Sequence, residues 1–359
     1  MAASADIAIT GLGMVTSVGD TVEASCAAIR CNLDRPSPID GTLVWDPHSE
    51  EAVPLVGRPI RGVTDGYQGL GRLFRLARIA LLDLLRYTEL TPGDTSASSW
   101  RSCGLLLCAA EPSPERSDVH EDAVRALPER LARSIELPIP PSNIACILEG
   151  NRGVLTALAT ARQKILAGSW ERAIVVGVDS YLDEDSLQWL AAQDRLRIPE
   201  RAVGVIPGEA AAALLLEPPQ RAIGAIGACL EGVGLAEAAD PTPDTVRLGA
   251  ALSDAIQRAL HADGNGSPIG DSIGDLNGEE IRAMMWGNAL SRIDPRRLSG
   301  SAPIHPAMSL GDVGAASAAV SLCIAVRSFA RGYSSNGRAL VWATTETGKA
   351  GACVVRAPG

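Results

Sequence analysis

Residues 142–178 read SNIACILEGNRGVLTALATARQKILAGSWERAIVVGV, and their grammar decides the fold class. Asn143–Leu148 is a short apolar strand, and Glu149-Gly-Asn-Arg-Gly153 is a turn. Val154–Ala167 is an Ala-rich helix stopped by Gly168, and Ala173–Val178 is a wholly apolar strand of the kind buried on both faces. Strand, turn, helix and strand in that order form the repeating unit of α/β proteins. Much the same order returns between Ser301 and the C-terminus. Gly311-Asp-Val-Gly314 opens an Ala-rich helix to Ala330, Gly332 ends it, and Ala339–Ala343 and Gly351–Arg356 are strands. The recurrence after about 160 residues predicts an internal duplication whose small-residue helices pack closely between sheets.

Outward from these units, Asp6–Thr10 reads as a strand that runs into a glycine turn, Gly11-Leu-Gly13. Asp20–Cys31 has helical spacing, and 33–70, rich in Pro and Gly, reads mostly as loop. Leu73–Leu85 is a strong amphipathic helix with Leu73, Ala77, Ala80, Leu81 and Leu84 on one stripe. Gly104–Ala109 is a buried strand and Val119–Ser134 a second helix.

The chain has 359 residues, 46% hydrophobic and 21% charged, enough for two or so domain-sized units and a large core. No apolar run approaches the roughly 18 residues of a membrane span. A net charge of −10 without a basic cluster argues against nucleic acid as a partner. The first ten residues lack a positive region followed by a long apolar run, so no signal peptide is expected. Cys26, Cys31, Cys103, Cys108, Cys146, Cys229, Cys323 and Cys353 show neither CxxC pairs nor His at zinc spacing. They are expected to be reduced and buried in a cytoplasmic protein, with no metal and no cofactor.

Three segments together resemble the β-ketoacyl synthases, the condensing enzymes of the thiolase superfamily. Ile7-Ala-Ile-Thr-Gly-Leu-Gly-Met-Val-Thr-Ser-Val-Gly19 is similar to their opening strand and turn. Gly204-Val-Ile-Pro-Gly-Glu-Ala-Ala-Ala-Ala-Leu-Leu-Leu-Glu217 resembles the strand that closes their first half. Gly311-Asp-Val-Gly-Ala-Ala-Ser-Ala318 resembles the small-residue helix start of their second half. The resemblance implies a thiolase fold: duplicated halves, 1–219 and 220–359, forming one unit in a five-layered α-β-α-β-α sandwich.

The family's chemistry requires a cysteine thiolate at a helix N-terminus and two basic groups converging on one acyl carbonyl. Backbone N–H groups then serve as an oxyanion hole. Carried onto this sequence, the nucleophile position is Asn151, an amide that cannot accept an acyl group. The first imidazole position is Asn277, within Asp275-Leu-Asn-Gly278, and the second falls at Gly311, before the Ala-rich helix. The family's C-terminal aromatic gate is replaced by Thr344-Thr-Glu-Thr-Gly348. Fallback candidates are Cys146, within the strand, and His305, several residues too early; Asp179 and Glu209 are the carboxylates that could join them. His48, His120 and His261 read as solvated.

With three catalytic positions and the gate changed together, condensation is expected to be lost. Gly177-Val-Asp-Ser-Tyr-Leu182, Ile206-Pro-Gly-Glu-Ala-Ala-Ala212, Asp275-Leu-Asn-Gly-Glu-Glu280 and His305-Pro-Ala are similar to ketosynthase-like proteins associated with bacterial type VI secretion clusters. That likeness implies an accessory or adaptor that binds an effector, a spike component or an acyl-bearing partner. One alternative is a chain-length-factor-like subunit beside an active ketosynthase in fatty acid or polyketide biosynthesis, with an acyl carrier protein as a further partner. Another is an acyltransferase of the 3-oxoacyl synthase type with altered chemistry. The resemblance implies pairing through a strand that makes one sheet across the dimer, so a homodimer, or a heterodimer with a ketosynthase, is expected, and the apolar Asn143–Leu148 edge would suit that contact.

Overall fold

Apolar strands with small residues at their crossing points set the frame of the molecule. The structure, a computed structural model, describes residues 7–91, 100–117, 119–222, 225–239, 245–262, 267–298 and 303–358. Met1–Asp6, including the leader region and the first residue of the expected opening strand, and Ser301 lie outside the described residues. The chain begins with β1 (Ile7–Thr16), α1 (Val22–Arg30), β2 (Ser37–Asp46), β3 (Glu51–Gly57) and α2 (Gly69–Thr88). It continues with β4 (Cys103–Ala109), α3 (Glu121–Arg125), α4 (Leu127–Ser134), β5 (Ile144–Leu148), α5 (Gly153–Leu166) and β6 (Arg172–Ser180). Then come α6 (Glu184–Ala192), β7 (Glu209–Glu217), β8 (Ala228–Glu237), α7 (Thr245–Ala262), β9 (Asp271–Gly274) and α8 (Glu280–Leu290). The last elements are α9 (Ala307–Leu310), α10 (Ser317–Ala330), β10 (Arg338–Thr344) and β11 (Lys349–Arg356).

Among the described residues nine strands form one sheet in the order β5-β4-β6-β7-β1-β8-β11-β10-β9. Its two parts repeat the same pairing. β1 runs antiparallel to β7 and β7 to β6, while β6 and β5 flank β4 in parallel. In the second part β8 runs antiparallel to β11 and β11 to β10, and β10 lies parallel to β9. Ile304 then bridges Ile273 of β9 in parallel, at the place β5 holds in the first part. The expected duplication is thus written in the hydrogen-bond pattern. The two half-sheets meet where Ile7–Ile9 pairs with Leu230–Ala228.

Three apolar cores separate five layers. α2 and α4 cover the outer face of the first half-sheet, with Leu76, Ala77, Ala80, Leu81 and Leu84 fully buried against β1, β4, β6 and β7. Each such Leu contributes about 1.5–3 kcal/mol by leaving water. The Ala-rich α5 and α10 fill the middle and touch strands of both half-sheets. α7 and α8 cover the second half-sheet, where Trp286 stacks on Trp342 at 4.4 Å.

Several local expectations are corrected. Gly11 and Gly13 do not turn the chain, because β1 runs through both to Thr16. Their role is close approach: a Cβ on Gly13 would lie 2.1 Å from the Ala80 carbonyl of α2. Residues 33–70 hold a two-stranded ribbon, β2–β3, rather than loop alone. The helix expected over Val119–Ser134 is two, α3 and α4, divided at Ala126 just before Pro128. All eight cysteines are free thiols; six are buried, Cys146 is half-buried and Cys31 is exposed.

Candidate functional site

The site is built at the elbow between β5 and α5. Gly150, at φ 54°, turns the chain into a single 3-10 turn, Gly150–Arg152, that leads into α5. This buries Asn151 and Arg152 against the second half of the chain. Arg152 reaches Glu149 at 2.9 Å and Glu237, at the end of β8, at 2.9 Å, which ties the elbow across the two half-sheets.

The structure brings Asn151 and Asn277 into one buried polar network, yet they do not satisfy each other. Each donates to a carboxylate. Asn151 Nδ2 donates to Asp275 Oδ2 at 3.0 Å, and the same oxygen accepts from Arg282 Nη1 at 2.6 Å and the Thr344 N–H at 2.8 Å. Asn277 Nδ2 donates to Asp312 Oδ2 and to Glu279 Oε2, both at 2.7 Å, and its Oδ1 accepts the Glu279 N–H at 3.1 Å. Burial pushes the Asp275 carboxyl above its ordinary range, against the pull of Arg282 and its other donors. For Glu279 the balance reverses. Burial alone would raise it, but the hydrogen bond and charge of Arg195, at 2.7 and 3.0 Å, hold it below the usual range.

Gly311 is corrected as a site residue. Its φ of 69° and the 2.5 Å separation of an added Cβ from the Ile206 carbonyl make it a backbone device. The neighbouring side chain that does enter the network is Asp312, whose Oδ1 also accepts the Gly314 N–H at 2.8 Å. Sequence reasoning did not single it out, although it directly follows Gly311.

Neither fallback candidate joins the network. Cys146 lies inside β5 and packs, with Ile144 and Leu148, against the outer core rather than the elbow. Burial pushes its thiol up to about 12, so it is protonated at neutral pH. His305 follows the Ile304 bridge, and its half-buried ring is pushed down by desolvation, which favours the neutral imidazole. The buried Nδ1 of His305 has no hydrogen-bond partner among the described residues. Glu209 is fully buried and closes a structural clamp, accepting from the Ile60 N–H, Thr64, Arg72 and Ser180. Asp179 accepts from Arg116 at 2.6 Å and from the Ala315 N–H at 2.9 Å. His48, His120 and His261 are exposed.

A cavity of about 400 Å³ opens beside the elbow, lined by Asn151, Arg116, Tyr181, Trp189, Arg282 and Glu346 among others. Arg116 lies over the Tyr181 ring at 4.1 Å and Arg195 over Trp189 at 4.8 Å, so the cations are held by aromatic faces as well as by carboxylates. The Thr344–Gly348 segment closes one side: Glu346 pairs with Arg195, and Thr347 donates to Glu111 at 2.9 Å. A second, more apolar cavity of about 500 Å³ adjoins it, lined by Leu73, Ala109, Val124 and Leu148. Segment 111–116 borders both. Among the described residues no group of three or more His, Cys, Asp or Glu could hold a metal ion. No helix among them is long and apolar enough to cross a membrane.

Chemically, the elbow can donate hydrogen bonds through Asn151, but it offers no thiolate, and the Asn277 amide cannot take a proton. Its carboxylates are occupied by arginines, amides and backbone N–H groups.

The chain resembles solved thiolase-like structures over almost its whole length. The ishigamide ketosynthase/chain length factor aligns at 19% identity with a TM-score of 0.73, covering 99% of this chain and 100% of the other. A β-ketoacyl synthase from Burkholderia phymatum STM815 aligns at 15% identity with a TM-score of 0.75, covering 99% and 100%. A ketosynthase in complex with its chain length factor, from Xenorhabdus doucetiae, aligns at 15% identity with a TM-score of 0.73, covering 98% of each. No protein-family model matches the chain. No curated protein matches it either. These likenesses establish the fold, which is that of the ketosynthases and chain length factors.

Proposed function

We propose that this chain is a non-condensing subunit of the ketosynthase fold that acts by binding partners. The observation that carries the reading is Asn151: an amide stands at the elbow where a thiolate is required, and it is engaged by Asp275. Asn277 and Asp312, at and beside the two imidazole places, support it, since neither group, bound as it is, matches a neutral imidazole that polarises a carbonyl.

Among partners, another thiolase-fold chain is favoured, as a chain length factor is partnered by its ketosynthase in the Xenorhabdus complex. β5 is the half-exposed, apolar edge strand of the sheet, and its free ladder can continue into a second chain. An acyl carrier protein is a further partner, in keeping with the neighbour whose carrier protein is seen with its ketosynthase. The likeness of the quoted segments to secretion-cluster proteins makes an effector or spike component the competing partner class. Buried free thiols suit a reducing, cytoplasmic setting.

The test is native mass spectrometry of the chain co-expressed with a ketosynthase from the same cell, with decarboxylation of malonyl thioesters followed in parallel. A mixed dimer, with turnover that depends only on the ketosynthase, is the expected result. Turnover by this chain alone contradicts the reading. A purely homodimeric chain moves the partner from a ketosynthase to a secretion component.

A further inference from the structure

The β2–β3 ribbon has two apolar faces where a surface ribbon ordinarily has one. Its inner face, with Ile39, Val44 and Leu55, packs on Tyr181, Leu182, Leu187 and Leu190. On its outer face the register sets Leu43 opposite Pro54 and Trp45 opposite Ala52, with Val56 beyond them. Leu43 is 64% exposed, Trp45 54% and Val56 44%. This is a contiguous apolar strip with an aromatic ring at the end nearest the turn, in a chain with only six tryptophans. Residues 40–56 also carry four carboxylates, Asp40, Asp46, Glu50 and Glu51, and neither Lys nor Arg. Asp40 meets Arg61 at 3.3 Å in an exposed pair, and Asp46 has His48 beside it.

We propose that this outer face docks a partner-protein segment whose apolar residues are flanked by Lys and Arg. The proposal rests on the partner-binding reading above and names the surface that reading requires. Charge selects the occupant. A second copy of the chain would bring the same four carboxylates against themselves, and an anionic lipid surface would be repelled in the same way. A basic, apolar segment gains both burial around Trp45 and attraction to the acidic rim. The location fits a role at the site. Tyr181 and Trp189, which belong to the core beneath the ribbon, also line the cavity at Asn151. An occupant of the ribbon therefore sits one packed layer from the elbow.

Calorimetric titration of the full chain with two ten-residue peptides, one alternating Leu and Lys and one alternating Leu and Glu, tests this. The Leu–Lys peptide is expected to bind saturably and the Leu–Glu peptide not to bind. Trp45→Ser, a change at an exposed position that should leave the melting temperature unmoved, is expected to weaken binding tenfold or more, on the order of an anchor residue's loss. Leu43→Ser repeats the test should Trp45→Ser fail to fold. Glu50→Gln with Glu51→Gln should weaken binding several-fold at low salt and less at high salt. Absence of Leu–Lys binding, equal binding of both peptides, or affinity unchanged in these variants overturns the proposal. So does a concentration-dependent dimer abolished by Trp45→Ser, which would assign the face to a second copy. Failure of the partner-binding reading has a separate signature: malonyl-thioester turnover by this chain alone, whatever the peptides do.

Discussion

The elbow before α5 and the elbow before α10 are two copies of one backbone device, put to opposite uses. Gly150 and Gly314 sit at φ 54° and 48°, each opens a three-residue 3-10 turn, and each leads into a 14-residue helix. Gly168 and Gly332, at φ 71° and 67°, follow the two helices at equal spacing. In the first elbow the turn carries Asn151 and Arg152, polar, buried and joined to the other half of the chain. In the second it carries Ala315 and Ala316, both fully buried, with Ala316 in the central apolar core and the Ala315 N–H on Asp179. The difference teaches that the fold needs the glycine and the small helix in both halves, but needs a polar side chain in neither. Asn151 and its partners are therefore the part of the molecule that packing alone does not explain.

The largest effect expected from disturbing that contrast comes from Asp275→Ala. Arg282, whose side chain is 5% exposed, would lose its 2.6 Å carboxylate and keep only Glu279 at 3.6 Å, and breaking such a buried pair costs roughly 3–5 kcal/mol. Urea unfolding measures it. A loss under about 1 kcal/mol, the scale of one ordinary hydrogen bond, would show that the network does not hold the elbow.

Next come the two glycines, compared directly. An Ala Cβ at Gly314 would lie 2.0 Å from Asp179 Oδ2, whereas at Gly150 its nearest neighbour is 3.7 Å away. Gly150→Ala should cost about 1–2 kcal/mol from left-handed backbone strain alone. Gly314→Ala should cost about 3 kcal/mol or more, because the carboxylate that holds Arg116 must also move. Equal losses would break the comparison.

A smaller effect is expected from Ala315→Asn, which gives the second elbow the residue type of the first. The amide would enter a fully buried position whose one polar neighbour, Asp179, is already engaged by Arg116 and the Ala315 N–H, and would cost about 1–3 kcal/mol if left unpaired. A neutral outcome, read by the same denaturation, would mean that a polar partner lies within reach.

Smallest is the acid limb of stability. Glu279 is held below its ordinary 4.5 in the folded chain, so its ion pair stabilises fully above that value and is lost as pH falls through the depressed one. Glu279→Gln should flatten the acid limb below the ordinary carboxylate range, and an unaltered limb would contradict this.

What could be read from the sequence follows from where its information is local. β5, α5 and β6, and later α10, β10 and β11, announce themselves because a run of apolar or small residues between glycines is complete within twenty or so positions. The β2–β3 ribbon hides because Pro38, Gly41 and Pro54 interrupt it, the pairing shifts between Pro38 and Leu43, and its outward residues are apolar where alternation demands polar ones. Gly11 and Gly13 mislead because the same residue serves a turn and a close helix contact, and only the packed α2 distinguishes them. At the site, the two amides, Asn151 and Asn277, are legible one position at a time. Their engagement is not: Asn151 and Asp275 are 124 residues apart, Asn277 and Asp312 35, and the choice of Asp312 over Gly311 turns on which residue points inward.

The most direct measurement of the central claim, that the elbow holds no nucleophile, is the intact mass of the protein after incubation with acyl-CoA, acyl carrier protein thioesters and a thiol-directed ketosynthase inhibitor. The account predicts no adduct at the elbow or at Cys146 in the folded protein, with Asn151 inert and the Cys146 thiol protonated, and confines any modification to the exposed Cys31. A stoichiometric adduct mapped to Cys146 would contradict it, because β5 would then have to end early enough to present that thiol at the elbow.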